Sequence, residues 1–289
     1  MLWDEAIRNA SRSLHDEGID DAELNAELLA VHLKGEWKRS DMARYMQDPL
    51  TPEEEVEYEH LINRRIAHQP LQYITGETEF FGLRLFTSAA ALIPRPDTEV
   101  LVEATLEEIA SLSKENVRIL DIGTGSGAII LALASGLKRS ECVGIDISNE
   151  ALTLAERNKN RLGLTNVSFT NKNIFDNIEL GSFDVIVSNP PYISTDEMRL
   201  LGKEVIDYEP RIALTDESDG LTFYKEIIQK ATGPLLNDGG LLLFEVGFDA
   251  SCHVAALMKN AGFQDVELTN DLSGIGRVIC GRKNLDSQM

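Results

Sequence analysis

The chain has 289 residues, of which 43% are hydrophobic and 26% charged, and this composition is ordinary for a globular protein with one large and one small domain. Its formal net charge of -21 disfavours nucleic acid as the main partner, because nucleic-acid binding depends largely on lysine and arginine meeting phosphates. We therefore expect no stable nucleic-acid binding and favour small molecules or basic protein surfaces as partners.

Membrane and metal sites have no support in the sequence. No apolar run is long enough to cross a bilayer, and the acidic N-terminal sequence does not resemble a signal peptide. Cys142, Cys252 and Cys280 are too scattered for a metal site or a disulfide framework. We expect a reduced, cytoplasmic setting, a monomer, no membrane association and no metal.

Residues 1–75 are predicted to form a small all-helical domain. Asp20 and Glu23 predict a capping box, and apolar residues follow them at helical spacing. Residues 51–54, with the sequence Thr-Pro-Glu-Glu, predict a second helix start, and that helix should run to about Ala67. This region has no catalytic cluster of its own.

Residues 76–95 change to short β-type segments, FFGLRLF and AALI, around turn residues. This pattern predicts a β-hairpin linker between two domains.

The last region, residues 96–289, alternates apolar strands with helices. Strands that alternate with helices predict an α/β fold with a mostly parallel sheet covered on both faces. The predicted strands are residues 117–120, 142–145, 167–169, 183–187, 241–245 and 274–280.

Residues 121–127, with the sequence Asp-Ile-Gly-Thr-Gly-Ser-Gly, lie between the first strand of this region and a helix. Glycines there let the backbone turn sharply and approach a ligand closely. A dinucleotide site would have the wider spacing G-x-G-x-x-G. Asp121 suits a cationic group better than a pyrophosphate, and S-adenosylmethionine carries an ammonium and a sulfonium group. The loop therefore favours S-adenosylmethionine as cofactor.

Asp146 ends the second strand, where an acid can accept hydrogen bonds from both ribose hydroxyls. NAD sites use an acid in the same way, so Asp146 alone does not choose between nucleotides. The alternative is that Asp121 and Asp146 only cap the elements that follow them. Because both acids frame the glycines within one strand–helix–strand unit, we favour the nucleotide site.

The sequence Asn189-Pro190-Pro191-Tyr192 directly follows the fourth strand. Ligands of open α/β sheets bind at the carboxyl ends of strands, near the switch in strand order. The first and fourth strands should be neighbours across that switch, so the glycine loop and this turn should face one crevice. The alternative is a turn that merely contains asparagine and two prolines.

The residue types of this turn suit methyl transfer to an NH2 group, whose nitrogen is a poor nucleophile because its lone pair is delocalised. The side-chain oxygen of Asn189 and the backbone carbonyl of Pro190 can accept hydrogen bonds from the two N–H groups of the substrate NH2. The nitrogen lone pair is then directed at the methyl carbon. Consecutive prolines stiffen the turn, and the Tyr192 ring can pack on a planar substrate group. The sulfonium supplies the driving force, so no strong base is needed.

These residues give the chain a resemblance to the HemK/PrmC family, the protein-(glutamine-N5) methyltransferases that modify peptide chain release factors. The Asn-Pro-Pro-Tyr motif is shared with DNA adenine-N6 and some RNA guanine-N2 methyltransferases, so other segments carry the distinction. These segments are residues 69–76 (QPLQYITG), 92–99 (LIPRPDTE), 208–214 (YEPRIAL) and 219–221 (DGL). The resemblance spans about residue 20 to the C-terminal strand.

The resemblance implies a Rossmann-like class I methyltransferase domain with a seven-stranded, mostly parallel sheet over residues 96–289. It also implies that the helical domain, residues 1–75, helps to bind the substrate. By the same resemblance, the expected substrate is the glutamine of a Gly-Gly-Gln loop in class 1 peptide chain release factors, and the expected cofactor product is S-adenosylhomocysteine.

The candidate site residues fall into three overlapping groups. The expected cofactor-binding residues are Asp121, Gly123, Thr124, Gly125, Gly127, Asp146, Ile147, Asn173, Ile174 and Asn189. The expected catalytic residues are Asn189, Pro190, Pro191 and Tyr192, and the same four with Arg95 are expected to bind the substrate. A rigid linker with a solvated charge is the alternative interpretation of Arg95. Asn173 departs from the family's pattern, in which many members have an acid near the adenine.

Two other functions stay open at this point. A nucleic-acid exocyclic-amine methyltransferase, acting on adenine N6 or guanine N2, could use the same turn, although the net charge of -21 and the lack of a long basic run disfavour it. A non-catalytic binding module would have a degraded crevice, whereas Asp121, the glycines, Asp146 and Asn189 are all present.

Overall fold

The computed structural model describes residues 1–112, 114, 116–247 and 250–285. They divide into two compact units. The first contains Met1–Glu77 and Gly202–Tyr208, and the second contains Thr78–Leu201 and the chain from Glu209 onward. The short segment Gly202–Tyr208 thus belongs with the N-terminal helices. A division of the chain at one position would have missed it.

The described residues form helices and strands in the following order. The helices are α1 (Trp3–Asp16), α2 (Ala22–Lys34), α3 (Met42–Tyr45), α4 (Pro52–Ile66), α5 (Leu71–Thr75), α6 (Glu99–Ser111), α7 (Ala128–Gly136), α8 (Asn149–Leu162), α9 (Lys203–Tyr208), α10 (Thr222–Thr232) and α11 (Ser251–Asn260). The strands are β1 (Glu77–Phe80), β2 (Leu83–Phe86), β3 (Arg118–Ile122), β4 (Glu141–Asp146), β5 (Val167–Asn171), β6 (Phe183–Ser188), β7 (Leu236–Glu245), β8 (Gln264–Asn270) and β9 (Gly276–Arg282).

The first unit is helical and packs around aromatic side chains. The Trp3 ring meets Trp37 and Tyr58 edge to face, with ring centroids 5.1 and 5.4 Å apart. Such pairs add to the stabilisation that burial alone provides. The Tyr58 hydroxyl donates a hydrogen bond to the Ala26 carbonyl, so the one polar atom of this ring is satisfied inside the core.

A buried charge holds the later segment in the first unit. Arg65 is 4% exposed, and its guanidinium donates to the Asn25 side chain, the Gln69 carbonyl and the Glu204 carboxylate on α9. The Tyr208 hydroxyl also donates to the Ala67 carbonyl. Because a buried unpaired charge is costly, α9 is a structural part of this unit.

The two predicted helix starts have different outcomes. The capping box at Thr51 forms, and its helix, α4, ends at Ile66, one residue before the predicted end near Ala67. The capping box predicted at Asp20 and Glu23 is wrong, since α2 follows Asp21 without a side-chain cap. Asp21 has a left-handed φ of 49°, which moves the helix start one residue along and takes the Asp20 side chain out of capping position.

The second unit contains a seven-stranded sheet with the order β5-β4-β3-β6-β7-β9-β8. The pairs from β5 to β7 are parallel, whereas β9 runs antiparallel to both β7 and β8. This confirms the predicted mostly parallel sheet. The predicted first and fourth strands, β3 and β6, are neighbours, with Ile122 opposite Ser188 at their carboxyl ends.

Both faces of this sheet are covered, and β6 shows how. Val185 and Val187 belong to the core on one face, while Phe183 and Ile186 belong to the core on the other. All residues of β6 are buried, which explains why Val185, Ile186 and Val187 are apolar without alternation. Each buried apolar side chain of this size contributes roughly 1.5–3 kcal/mol relative to exposure.

Two details of the predicted β structure need correction. β1 and β2 form a two-stranded sheet, but residues 90–93, predicted to be β-type, form no strand. A turn closed by the Ala91 amide and the Ser88 carbonyl takes up the start of this segment. The strand β8 has no counterpart in the prediction, because its residues are almost all exposed and lack an apolar pattern.

The described residues contain no helix that combines the length and apolar character needed to span a membrane. Within those same ranges, no group of His, Cys, Asp and Glu residues is arranged to hold a metal ion.

Candidate active site

A cavity of about 230 Å³ lies at the carboxyl ends of β3, β4, β5 and β6. Segments that follow these four strands supply much of its wall, because the carboxyl ends of parallel strands meet at one edge of a sheet. Other segments contribute Leu92, Pro94, Arg95, Pro210 and Ile212.

The glycine loop bends over the end of β4. The amides of Gly123 and Thr124 both donate to the Ile145 carbonyl, at 2.9 and 3.0 Å. Gly123 and Gly125 have left-handed φ values of 74° and 54°, which favour glycine because it lacks a Cβ. The loop therefore presents its backbone to the cavity.

Asp146 joins the glycine loop to the start of α8. One carboxylate oxygen accepts from the Gly125 amide and the other from the Ser148 amide, each at 2.9 Å. Each oxygen keeps a further acceptor position. The carboxylate is thus fixed at the cavity wall and can accept two more hydrogen bonds from a ligand.

Asp121 is fully buried beneath this loop. Its Oδ2 accepts from the Thr124 hydroxyl at 2.6 Å, while its Oδ1 has no hydrogen-bond partner among the described residues. Burial raises the pKa of Asp121 to about 7, the nearby charge of Asp146 adds to the rise, and the Thr124 hydroxyl opposes it. A cation beside this pair of acids would lower the pKa again.

The Asn-Pro-Pro-Tyr turn begins where β6 ends. The Ser188 hydroxyl donates to the Ile122 carbonyl at 2.7 Å, which ties the end of β6 to the end of β3. The Asn189 side-chain NH2 donates to the Thr98 hydroxyl oxygen at 3.3 Å. Asn189, Pro190 and Pro191 line the cavity, so the turn and the glycine loop face the same space.

Tyr192 lies on the far side of this turn. Its hydroxyl donates to Oε1 of Glu245, at the end of β7, over 3.5 Å. Its ring lies so close to Gly247 that an added Cβ there would be 3.1 Å from Cδ2. Burial raises the pKa of the Tyr192 hydroxyl, and the Glu245 charge adds to this rise, so the hydroxyl stays protonated.

Arg95 lines the cavity and forms an ion pair with Glu209. The Glu209 side chain is only 1% exposed, and it also accepts a hydrogen bond from the Ile93 amide. Through this ion pair and this hydrogen bond, the Glu209 carboxylate holds residues 93–95 next to the segment that begins at Glu209.

Most of the predicted site residues come together at the cavity. Those on its wall are Arg95, Gly123, Thr124, Gly125, Asp146, Ile147, Asn173, Ile174, Asn189, Pro190 and Pro191. Asp121, Gly127 and Tyr192 lie outside that wall. Gly127, with a φ of 83°, precedes α7, and an added Cβ would meet the Ala155 methyl group at 3.2 Å.

Sequence reasoning missed part of the wall and the carboxylate behind it. Phe175, Phe223 and Ile227 line the cavity, and Glu245 lies behind the Asn-Pro-Pro-Tyr turn. The position of Glu245 at the carboxyl end of a predicted strand was a usable signal. No comparable signal marks Phe223 or Ile227, which belong to an ordinary apolar face of α10.

Family comparisons agree with this architecture. The model described as "PrmC N-terminal domain" matches residues 5–76, and the one described as "Methyltransferase domain" matches residues 113–256. A methyltransferase structure from Pyrococcus furiosus aligns with a TM-score of 0.53 at 20% identity, covering 80% of this chain and 98% of that one. At that identity the likeness shows the fold, and it confirms the predicted Rossmann-like domain.

Several relatives are named release factor glutamine methyltransferase. The chain is 40% identical to that of Geobacter sulfurreducens, with 93% of this chain and 92% of that protein covered. It is 39% identical to that of Salmonella typhimurium, with 96% and 97% covered. The match to the Fusobacterium nucleatum protein is 44% identical and spans 80% of this chain but 64% of that protein.

The backbone contact between Gly220 and Tyr192 generates a stability prediction. Gly220 has a φ of 76°, and an added Cβ would lie 2.2 Å from the Tyr192 carbonyl oxygen. We expect Gly220→Ala to lower the melting temperature more than Gly163→Ala, in thermal unfolding followed by circular dichroism. Gly163 is a matched control, since its φ is 65° and an added Cβ would meet nothing within 4 Å.

Both substitutions carry a left-handed backbone cost of about 1–2 kcal/mol, and only Gly220→Ala adds the collision with the turn. Equal losses in the two variants would contradict the close packing of the turn against Gly220.

Proposed function

This chain belongs to the HemK/PrmC family of release factor glutamine methyltransferases, and we propose that it methylates the glutamine of the Gly-Gly-Gln motif in class 1 peptide chain release factors. The methyl donor is S-adenosylmethionine and the acceptor is the side-chain amide nitrogen. The observation that carries the proposal is the shared cavity of the glycine loop and the Asn-Pro-Pro-Tyr turn, on neighbouring strands.

The donor set of the cavity fits S-adenosylmethionine. Asp146 has acceptor positions for the two ribose hydroxyls, and the exposed backbone of the glycine loop allows close approach. The ionised form of Asp121, which is buried behind the cavity wall, would attract a cationic ligand in the cavity. The apolar side chains of Ile147, Ile174 and Phe175 suit the faces of an adenine ring.

When bound, S-adenosylmethionine would supply an electrophilic methyl carbon to the amide nitrogen, with S-adenosylhomocysteine as the leaving group and with the displaced proton passing to solvent water. The protein's own contribution is orientation. Because the Asn189 NH2 group is held by Thr98, its Oδ1 can accept one N–H of the substrate amide, and the Pro190 carbonyl can accept the other. The nitrogen lone pair is then directed at the methyl carbon.

Glutamine methylation is favoured over nucleic-acid methylation by the relatives and by charge. The relatives that cover nearly the whole chain are named release factor glutamine methyltransferase, and a net charge of -21 opposes phosphate binding.

The direct test is incubation of the protein with S-adenosylmethionine and a class 1 release factor, followed by peptide mass spectrometry. A methyl group on the Gly-Gly-Gln glutamine supports the proposal, whereas methylation of tRNA or DNA alone would replace it.

The proposed role of Asp146 gives a binding prediction. Asp146→Ala should weaken S-adenosylmethionine binding by about 1–3 kcal/mol in calorimetry, because ribose hydroxyls lose their acceptors. Glu267→Ala, which removes an exposed carboxylate on β8, is the control and should bind normally. Binding of NADH but not S-adenosylmethionine by the unaltered protein would overturn the cofactor assignment.

The proposed role of Asn189 gives a kinetic prediction. Asn189→Ala should lower the single-turnover methylation rate by roughly a hundredfold or more, because orientation of the acceptor amide is lost. Cofactor affinity should change far less. Asn260→Ala, at the exposed end of α11, controls for the loss of an asparagine. A near-normal rate in Asn189→Ala would remove this residue from the catalytic role.

We further propose that the helical unit docks on the release factor, since glutamine is common on protein surfaces and a small pocket discriminates only by the groups it touches. The match of residues 5–76 to the PrmC N-terminal domain supports this assignment. Glu53 and Glu57, one turn apart on α4, are both exposed and suit a basic patch on the partner.

This docking gives a charge-reversal prediction. Replacing Glu53 and Glu57 together by lysine should raise KM for the intact release factor by roughly tenfold, since reversing two rim charges costs on the order of 1–2 kcal/mol. Efficiency on a short Gly-Gly-Gln peptide should not change. Glu103 and Glu107, which are also exposed and have the same spacing on α6, provide the matched double reversal. Equal KM values for the two double variants would argue against docking through α4.

A further inference from the structure

An arginine with unused hydrogen-bond donors lies at the mouth of the cavity. Arg95 lines the cavity, yet its side chain is 40% exposed, so it lies where the cavity opens to solvent. Its Nη2 donates to the Glu209 carboxylate, whereas Nε and Nη1 donate to no described residue. The guanidinium, a planar fork of N–H donors, therefore keeps donors for a ligand that enters the cavity.

Arg95 is one short turn of chain from the residue that contacts Asn189. The Thr98 amide donates to the Arg95 carbonyl at 3.1 Å, which closes the 3-10 turn Pro96–Thr98. The Thr98 hydroxyl oxygen in turn accepts a hydrogen bond from the Asn189 side chain at 3.3 Å. Because one such turn rises only about 6 Å, Arg95 lies close to the place proposed for the acceptor amide.

Glu209 holds the guanidinium in place and balances its charge. One carboxylate oxygen accepts from Arg95 and the other accepts from the Ile93 amide at 3.2 Å, so each oxygen has a partner. The Glu209 side chain is almost fully buried. A buried carboxylate without its cation would be costly, and this cost keeps Arg95 at the cavity mouth rather than extended into solvent.

The remaining donors of Arg95 suit a neutral acceptor better than an anion. The ion pair with Glu209 has no net charge with which to attract a phosphate or a carboxylate, but a guanidinium N–H is still a strong donor. A peptide carbonyl is a neutral acceptor with two lone pairs, and glycine has no side chain to cover it. The main chain beside the acceptor glutamine must pass the mouth when the glutamine side chain occupies the cavity.

We propose that Glu209 holds and neutralises Arg95 so that the guanidinium donates to a main-chain carbonyl next to the acceptor glutamine. Glu209 is then a positioning residue, and Arg95 is a substrate-binding residue that recognises the peptide main chain. This inference rests on the proposed function, because its ligand is the loop that carries the same glutamine. It adds to the amide pocket a second contact, one that favours a peptide over a nucleic acid.

The first test removes the ion pair without leaving a buried charge unpaired. The variant combines Arg95→Met with Glu209→Gln and is assayed by steady-state methylation of an intact release factor at saturating S-adenosylmethionine. We expect KM for the release factor to rise roughly tenfold, as for one lost hydrogen bond to a charged donor. The value of kcat and the cofactor affinity should change little, because the contact is made equally in the ground state and the transition state.

An ion pair of α8 provides the matched control. Lys159 and Glu156 lie 3.1 Å apart and are absent from the cavity wall, so Lys159→Met with Glu156→Gln should leave KM unchanged. Both double variants should melt near the temperature of the unaltered protein, since neutral side chains replace both charges of each pair. If the Arg95 double variant does not fold, Arg95→Lys takes its place, because lysine keeps the ion pair but loses the planar fork. It should also raise KM.

The second test asks whether Glu209 neutralises Arg95. Two release factors with Asp or Asn directly after the Gly-Gly-Gln motif differ in one charge at nearly constant shape. In Glu209→Gln the Arg95 charge is uncompensated, so the Asp-to-Asn ratio of kcat/KM should rise roughly fivefold over that of the unaltered protein. The ratio should return to its original value in Arg95→Met with Glu209→Gln. A purely structural role of Glu209 would lower both efficiencies and leave their ratio unchanged.

An unchanged KM in the Arg95 variants, or an unchanged Asp-to-Asn ratio in Glu209→Gln, would overturn the main-chain contact while leaving the proposed function intact. A loss confined to kcat would overturn it as well. Failure of the unaltered protein to methylate any release factor would instead overturn the proposed function itself.

Discussion

The parallel pairing of β3 with β6 is the constraint on which the site depends. It places Ile122 opposite Ser188, and the Ser188 hydroxyl fixes the two strand ends together through the Ile122 carbonyl. The glycine loop leaves one strand and the Asn-Pro-Pro-Tyr turn leaves the other, so their separation is set by a strand spacing of about 4.8 Å. Two chemically different loops thus share one cavity.

The same edge of the sheet holds two buried carboxyls with related electrostatics. Asp121 near the end of β3 and Glu245 at the end of β7 each have a pKa raised by burial to about 7, and each keeps one oxygen without a partner among the described residues. Loss of solvent disfavours the charged form of a carboxyl, and incomplete pairing leaves that cost largely uncompensated.

The sequence was sufficient for features that local patterns encode. The glycines at 123 and 125, the acid at 146 and the turn from Asn189 follow apolar strands, and the strand-end rule alone brings them together. What escaped prediction depends on tertiary contacts. β8 has no apolar pattern because its side chains are exposed, the cap at Asp20 fails because Asp21 is left-handed, and the contact of Thr98 with Asn189 joins residues far apart in the chain.

The membership of α9 in the first unit has a consequence for how the chain folds. Arg65 is made early in synthesis, but its partner Glu204 follows only after β3, β4, β5 and β6 have been made. The nascent helical unit must therefore tolerate an unpaired guanidinium in its interior, or leave that region loose, while most of the sheet emerges from the ribosome. Closing so long a loop is entropically costly and slow, so the N-terminal helices, although first in the chain, complete their packing late in biosynthesis.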